Sequence, residues 1–327
     1  MRSFYLGINL GAFASTLTTP LLLEHVGSHA AFGLPGILMG VATAVFWLGR
    51  RQYTHVPPHG THFVKEATSR EGLAAIGRLL VLYSFVAVFW SLYDQTGSAW
   101  VLQARHMDRH FAGIEWLPSQ VGAVNPVLIL ILVPLFHGFH IPLPREMLRR
   151  QHFRSACAAT CAATCPVALR FSGLYALLQP VVRVTPLRKI GCGFFLTAVS
   201  FLIPLQLQAW IEEGHTPSIV WHLVAYVILT VAEILVSVPG LEFSYTQAPA
   251  SMKSVVMALW LLSVALGNAL TALVNALILD EHGVARWSGV AYYRFFVVLM
   301  FVTAALFVPY AMVFKQQRSS LDRAPDA

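Results

Sequence analysis

The sequence predicts an all-α membrane protein whose chain crosses the bilayer about eight times. Apolar residues make up 57% of the 327 positions and charged residues only 11%, whereas about a quarter of the residues in an ordinary soluble domain are charged. The mean hydropathy is +0.64, and long apolar stretches recur along most of the chain. A soluble core cannot bury so much apolar surface, so we attribute the composition to membrane-spanning helices.

A helix that crosses the hydrocarbon needs about 20 mostly apolar residues, because every backbone polar group must be satisfied within the helix. The stretches that meet this requirement are 4–22, 31–49, 75–102, 121–140, 190–210, 218–245, 254–279 and 290–314. Charged residues mark the breaks between them, in chain order Glu24, Arg50–Arg51, Arg105–Arg109, Arg145–Arg154, Glu212–Glu213, Lys253 and Asp280–Glu281. Each stretch is therefore expected to form a separate span.

The placement of lysine and arginine predicts that both ends of the chain face the cytoplasm, because positive residues are retained on that side. With the first residue inside, 18 of the 22 basic residues fall on inner stretches. The four on outer stretches are Arg105, Arg109, Arg286 and Arg294. We interpret the net charge of +7 as a topology signal. A nucleic-acid partner would require basic and aromatic residues clustered on a soluble face, so none is predicted.

The same breaks divide the chain into four predicted parts. Residues 1–50 hold two spans, 51–72 form a cytoplasmic linker, 73–315 hold six spans, and 316–327 form a cytoplasmic tail. The segment 141–173 departs from this pattern, because a basic stretch is followed by a tract of Ala, Cys and Thr. Its three cysteines lack a nearby His or acidic residue, so we predict no metal site there.

Two carboxylates lie inside apolar stretches, where a charge costs about 3 kcal/mol or more. Asp94 is in the third stretch and Glu233 in the sixth. Each carboxyl could simply hold helices together, but two of them beside aromatic and amide residues favour a water-accessible cavity. A buried carboxyl changes its protonation when its surroundings change. We therefore predict that Asp94 and Glu233 couple proton movement.

Weaker candidates accompany these two acids. Asn9 and Asn125 would bind a substrate amide or bridge helices, and Trp90 and Trp260 would line a pocket or pack in the core. No nucleotide-binding loop, dinucleotide fingerprint or H-E-x-x-H motif occurs. An intramembrane transferase would also need a nucleophile or an acid-base pair near an interface. We therefore predict a protein that is not an enzyme and has no cofactor, with a proton gradient as its driving force.

Several motifs resemble the proton-dependent oligopeptide transporters, a branch of the major facilitator superfamily. Residues 4–12, Phe-Tyr-Leu-Gly-Ile-Asn-Leu-Gly-Ala, are similar to a family signature in its fifth span. Residues 89–95 resemble the seventh span and 124–126, Val-Asn-Pro, the eighth. Residues 185–191 resemble the approach to the ninth span, and 233–254 the tenth span with its inner loop.

This resemblance implies a partial major facilitator fold and proton-coupled symport of di- and tripeptides across a bacterial inner membrane. Residues 1–50 would be the last two spans of the amino-terminal half, and 73–315 the carboxy-terminal half. Asp94 matches a carboxylate of proton coupling, and Glu233 the carboxylate that receives the amino terminus of the peptide. The resemblance assigns pocket-lining positions to Asn9, Trp90, Asn125 and Trp260.

The first four spans of that family have no counterpart in the sequence, and with them the cations that would hold the peptide carboxylate. We therefore expect that the chain does not transport alone and that Asp94 lacks a partner and stays protonated. The alternative is a non-functional membrane remnant, truncated or frameshifted. The sequence starts at Met1 inside a family motif, and the composition of 141–173 is unusual. Both observations favour that alternative.

Overall fold

The computed structural model describes residues 2–53, 68–137, 185–247, 252–279 and 286–314. The segment 141–173 and the tail 316–327 lie outside the described residues, as does most of the linker 51–72. The division of the chain into those parts therefore stays a prediction.

Helices follow all eight predicted spans in order. They are α1 (Arg2–His25), α2 (Ser28–Leu48), α3 (Arg70–Tyr93), α5 (Val124–His137), α6 (Pro186–Glu212), α7 (Val220–Gln247), α8 (Lys253–Ile278) and α9 (Gly289–Val313), with a short helix α4 (Ala99–Ala104) after α3. Within the described residues, six helical stretches are long and apolar enough to cross a membrane. Helix α1 and the described part of α5 fall short of that measure. The all-α membrane architecture is confirmed.

Side-chain caps explain why three helices begin before the apolar stretch that predicted them. The Ser69 hydroxyl accepts from the backbone N–H of Gly72 at the start of α3, at 3.0 Å. The Thr185 hydroxyl accepts in the same way at the start of α6, where Pro186 is the first helical residue. Ser288 caps α9. Such caps satisfy N–H groups that have no partner in the first helical turn.

The third predicted span is interrupted, whereas the sequence suggested one continuous helix. Helix α3 ends at Tyr93, a 3₁₀ turn covers Asp94–Gly97, and α4 begins at Ala99. The Tyr226 hydroxyl donates to the Thr96 carbonyl at 3.2 Å and Gln95 donates to the Ser91 carbonyl at 2.9 Å. Irregular backbone is tolerated at membrane depth when protein groups satisfy it, and these two side chains do so.

Close helix packing depends on small residues at two crossings. Helix α6 packs against α7 and α9, and α3 packs against α8. A Cβ at Gly193 of α6 would lie 2.6 Å from the Val236 side chain, and one at Gly267 of α8 would lie 2.5 Å from the Ala87 carbonyl oxygen. Glycine at these positions lets the backbones approach, as is common between membrane helices.

Helices α1 and α2 stand at the side of this bundle. Helix α1 packs against α5 and α2, and Gln120, in the 3₁₀ turn before α5, donates to the Leu17 carbonyl at 3.2 Å. The apolar side chains of α2 are mostly exposed, for example Phe32, Phe46 and Leu48. Lipid or further helices are needed to cover this surface.

A small β-hairpin, which was not among the predicted elements, lies in the connection between α4 and α5. Strand β1 (His110–Phe111) pairs with β2 (Ile114–Glu115) in antiparallel register. The two residues of its turn, Ala112 and Gly113, have φ of 54° and 77°, as hairpin turns of type I′ require. We call this end of the bundle, with the hairpin and the residues 213–219, the hairpin end.

Candidate functional site

Glu233 is the centre of a hydrogen-bonded cluster that joins three helices. It lies buried in α7, and its Oε2 accepts from the Tyr93 hydroxyl of α3 at 3.0 Å and from Nδ2 of Asn125 in α5 at 2.8 Å. A carboxyl taken out of water needs such donors, because an unsatisfied buried charge is costly. The predicted carboxylate is thus placed in a site with two donors.

The remaining bonds of Asn125 close this cluster. Its Nδ2 also donates to the Thr230 hydroxyl at 3.0 Å, and that hydroxyl donates to the Tyr226 carbonyl at 2.8 Å. Both protons of the amide are therefore used, which leaves Oδ1 as an acceptor for the Tyr93 hydroxyl, 3.2 Å away. We call Tyr93, Asn125, Thr230 and Glu233 the Glu233 cluster.

The Tyr93 hydroxyl has one proton and two acceptors. When Glu233 is charged, the hydroxyl donates to the carboxylate. When Glu233 is protonated, its O–H donates to the oxygen of Tyr93, and Tyr93 donates to Oδ1 of Asn125. Since all three atoms are within hydrogen-bond distance, both protonation states are satisfied without movement of a side chain.

Asp94 lies beside this cluster at the break after α3. It is half-buried, and the exposed Asn268 of α8 lies next to its carboxyl. The missing partner that the family resemblance implies is a cation, whereas Asn268 is neutral. The expectation that Asp94 lacks a partner and stays protonated therefore remains a prediction. Asp94 directly follows Tyr93, whose hydroxyl donates to the Glu233 carboxylate. The fold thus brings the two predicted proton-coupling residues into one site.

Trp90 and Trp260 form an aromatic wall next to the cluster. Their rings are perpendicular with centroids 6.3 Å apart, and the Trp90 ring also meets the edge of Tyr93 at 5.3 Å. Trp260 packs on Gly240 of α7, where a Cβ would lie 2.9 Å from the indole. The buried Nε1 of Trp90 has no hydrogen-bond acceptor among the described residues.

Asn9 is buried in α1, the helix that packs against α5. The Glu233 cluster is closed without Asn9, so its predicted role at the pocket stays a prediction.

Sequence reasoning missed Tyr93, Thr230 and Asn268. Thr230 could have been found, because it precedes Glu233 by three residues and so shares its helix face. Tyr93 is adjacent to Asp94 in the sequence, but only the break after α3 explains how both side chains reach the site. In the part of the chain that the structure describes, no group of three or more His, Cys, Asp or Glu residues could hold a metal.

Comparison with known proteins decides the family. The sequence matches the family described as "PTR2: POT family" over residues 2–70, 61–151 and 169–288, which is more than half of the chain. The chain belongs to the POT family. The residues between the last two matched ranges, 152–168, lie inside the unusual segment 141–173.

Relatives of the chain include animal peptide transporters. "Peptide transporter 3" of Caenorhabditis elegans is 30% identical over 251 residues, which cover 64% of this chain and 31% of that protein. "Solute carrier family 15 member 2" of Mus musculus is 23% identical over an alignment of 510 positions. The alignment covers 93% of this chain and 69% of that protein. The chain thus spans only part of the length of these relatives.

Solved POT structures confirm the fold as a partial major facilitator fold. An auto-inhibited POT family peptide transporter is 28% identical with a TM-score of 0.75, over all of this chain and 71% of that one. The POT family transporter PepTSo is also 28% identical, with a TM-score of 0.72 over 94% of this chain and 70% of that one. A POT transporter in complex with alafosfalin, at 20% identity and a TM-score of 0.67, shares the fold.

Proposed function

We propose that this chain is the carboxy-terminal part, from the fifth to the twelfth span, of a proton-coupled carrier for di- and tripeptides. The observation that supports this most strongly is the Glu233 cluster, a buried carboxylate held by donors from two other helices. An intramembrane carboxylate of this kind marks a site for a substrate or a proton.

A free peptide is a zwitterion, and the cluster suits its ammonium end. Glu233 and Asp94 would supply negative charge. The aromatic faces of Trp90 and Trp260 add a wall for the peptide side chains. The positive pole for the peptide carboxylate would come from the first four spans, as the family resemblance implies.

Proton coupling needs a carboxyl that is stable in both protonation states. The Glu233 cluster meets this requirement, because the Tyr93 hydroxyl can serve either state and the carboxyl keeps a hydrogen-bond partner in each. Asp94, with Asn268 beside it, is the second group whose charge would change. In the carrier, protons would pass through these two carboxyls while the two halves alternate around the peptide.

We place the chain in a bacterial inner membrane, as the family resemblance implies, and the distribution of charge supports both termini in the cytoplasm. Arg105 and Arg109 lie at the hairpin end, and Arg286 precedes α9 at that same end. The opposite end is richer in basic residues, namely Arg50, Arg51, Arg70, Arg188, Lys189 and Lys253. The positive-inside rule makes that opposite end cytoplasmic.

The intact hydrogen bonding of the Glu233 cluster favours the carrier over a non-functional remnant.

The test joins this chain to the first four spans of PepTSo and measures the binding of labelled Ala-Ala. We expect Glu233→Gln to weaken binding at least tenfold, since removal of one partner from a buried charge pair costs about 2–5 kcal/mol. Glu242→Gln, on the same helix but exposed, serves as the control and should bind normally.

A modified peptide completes the test. N-acetyl-Ala-Ala, which has no ammonium, should bind the unsubstituted protein as weakly as Ala-Ala binds the Glu233→Gln variant. Equal binding of Ala-Ala with and without the substitution would exclude Glu233 as the ammonium site.

A further inference from the structure

An open groove separates α3 from α9 at the end of the bundle opposite the hairpin end. Its volume is about 1060 Å³. Ala74, Gly77 and Val81 of α3 face Pro309 and Val313 of α9 across it. We call it the α3–α9 groove. It lies apart from the Glu233 cluster, at the start of α3 rather than at its end.

Small and exposed apolar residues keep the groove open. A Cβ built at Gly77 would meet nothing within 4 Å, so there is room for further atoms beside α3. Val81 and Val313 are 47% and 79% exposed, so the walls are accessible to a long apolar chain. The groove is therefore suited to hydrocarbon.

The groove has a charged end. Arg78, half-buried, is the one charged side chain among the described residues that line it. Tyr310 lies at the same level, and its hydroxyl donates to the backbone carbonyl of Arg78 at 3.3 Å. The Tyr310 ring packs against Phe85 with centroids 5.6 Å apart. These contacts hold α3 and α9 together at the charged end.

The depth of Arg78 places this charged end at the level of lipid headgroups. Helix α9 is unbroken and has 25 residues, or about 38 Å at 1.5 Å per residue, while the hydrocarbon is about 30 Å thick. The ends of α9 therefore reach the headgroups, and Arg78 lies at the level of Tyr310 near one of these ends. Tyr310 is one turn from the end of α9, where interfacial aromatic residues are common.

We propose that the α3–α9 groove binds an anionic phospholipid of the surrounding bilayer. Its phosphate would lie against the guanidinium of Arg78, which forms charge-assisted hydrogen bonds with phosphate oxygens. One acyl chain would lie along the apolar walls. Arg70 of α3 and Lys253 of α8 lie at the same end of the bundle and add positive potential that favours a lipid of net negative charge.

Native mass spectrometry of the purified chain tests this proposal. The chain is mixed with phosphatidylglycerol or phosphatidylcholine of the same acyl chains at equal concentration. We expect more phosphatidylglycerol to be retained, and Arg78→Gln to lower its retention about fivefold, equivalent to about 1 kcal/mol. Arg294→Gln is the matched control, because Arg294 is exposed near the other end of α9, and it should leave the preference unchanged.

A second variant tests the apolar part of the site. Gly77→Leu adds a side chain to the groove at a position where a Cβ meets nothing within 4 Å, and it improves helix propensity, so the protein should fold. We expect it to lower retention of both lipids by at least threefold. Retention of phosphatidylglycerol that is unaffected by both Arg78→Gln and Gly77→Leu would overturn the proposal. A second outcome would also overturn the proposal, namely that an equal concentration of inorganic phosphate displaces the lipid while Gly77→Leu has no effect. That outcome would indicate a phosphate site instead.

Discussion

The hydroxyl of Tyr93 joins Glu233 to Asn125 although it carries no charge itself. It is next to Asp94 in the sequence and within 3.0 Å of the Glu233 carboxylate. A phenylalanine at this position would keep the ring packing against Trp90 and remove only the hydrogen bonds. Substitution here therefore separates the polar contribution of Tyr93 from its packing.

We predict that Tyr93→Phe lowers the free energy of unfolding by about 1–3 kcal/mol, the typical cost of leaving buried polar groups without a partner. Unfolding of the purified chain in detergent provides the measurement. Tyr53→Phe is the control, because Tyr53 is exposed and surface substitutions usually change stability by less than about 0.5 kcal/mol. A Tyr93→Phe variant as stable as the unsubstituted chain would show that the hydroxyl does not satisfy Glu233.

The identity of the carboxylates could be predicted from the sequence, but their partners could not. Asp94 and Glu233 stand out because charges are rare in apolar stretches. Asn268 is an ordinary asparagine in the sequence, and its role depends on the crossing of α3 and α8 at Gly267. Contacts between helices that are distant in the sequence leave no local pattern.

At the scale of a single element, part of the surface of helix α8 is too polar to face lipid. One exposed stripe consists of leucines, namely Leu262, Leu266, Leu273 and Leu277. Another exposed face carries Asn268 and Asn275. Asparagine facing hydrocarbon is costly, so this second face needs protein or water. In the proposed carrier, the first four spans would cover it.

The hairpin between α4 and α5 carries a pH-dependent contact outside the membrane. The backbone N–H of His110 donates to the Asp108 carboxylate at 3.1 Å, and the His110 ring hydrogen-bonds the same oxygen at 3.0 Å. The backbone bond, followed by the side-chain bond, lowers the pKa of Asp108 from its ordinary value of 3.8. Because the folded form holds the charged carboxylate, the stabilisation is present above that ordinary value. It is lost as the pH falls below it.

We therefore predict that acid loosens the hairpin. Trp116 reports on it, because its Nε1 donates to the Phe111 carbonyl at 3.2 Å. Trp116 fluorescence, isolated by subtraction of a Trp116→Phe variant, should change as the pH falls below about 4. Asp108→Asn should remove that change, while Glu213→Gln, on a neighbouring exposed loop, should retain it. An identical acid response with and without Asp108 would contradict this assignment.

Helix positions were more predictable than the interruptions between them. Composition and apolar length predict all eight helices, since these depend on average hydropathy. The break at Asp94–Gly97 depends on Tyr226 and Gln95, which satisfy the freed carbonyls. The hairpin depends on positive φ at Ala112, a conformation that alanine rarely adopts, so the residue types there give little indication of a turn.

At the scale of the whole molecule, the proposed function gives the acidic pole of a peptide site to this chain and the basic pole to the first four spans. The structural match to PepTSo, over 94% of this chain and 70% of that one, leaves room for those spans. Two features of the described surface agree with this assignment, namely the exposed side chains of α2 and the asparagine face of α8.

Uptake of labelled dipeptide into liposomes under an imposed pH gradient tests this division most directly. The chain joined to the first four spans of PepTSo should accumulate the peptide, lose accumulation when the gradient is abolished, and lose it again on Glu233→Gln. The chain by itself should give no uptake above empty liposomes. Gradient-driven uptake by the chain alone, or uptake by the joined protein that survives Glu233→Gln, would contradict the assignment of the two poles.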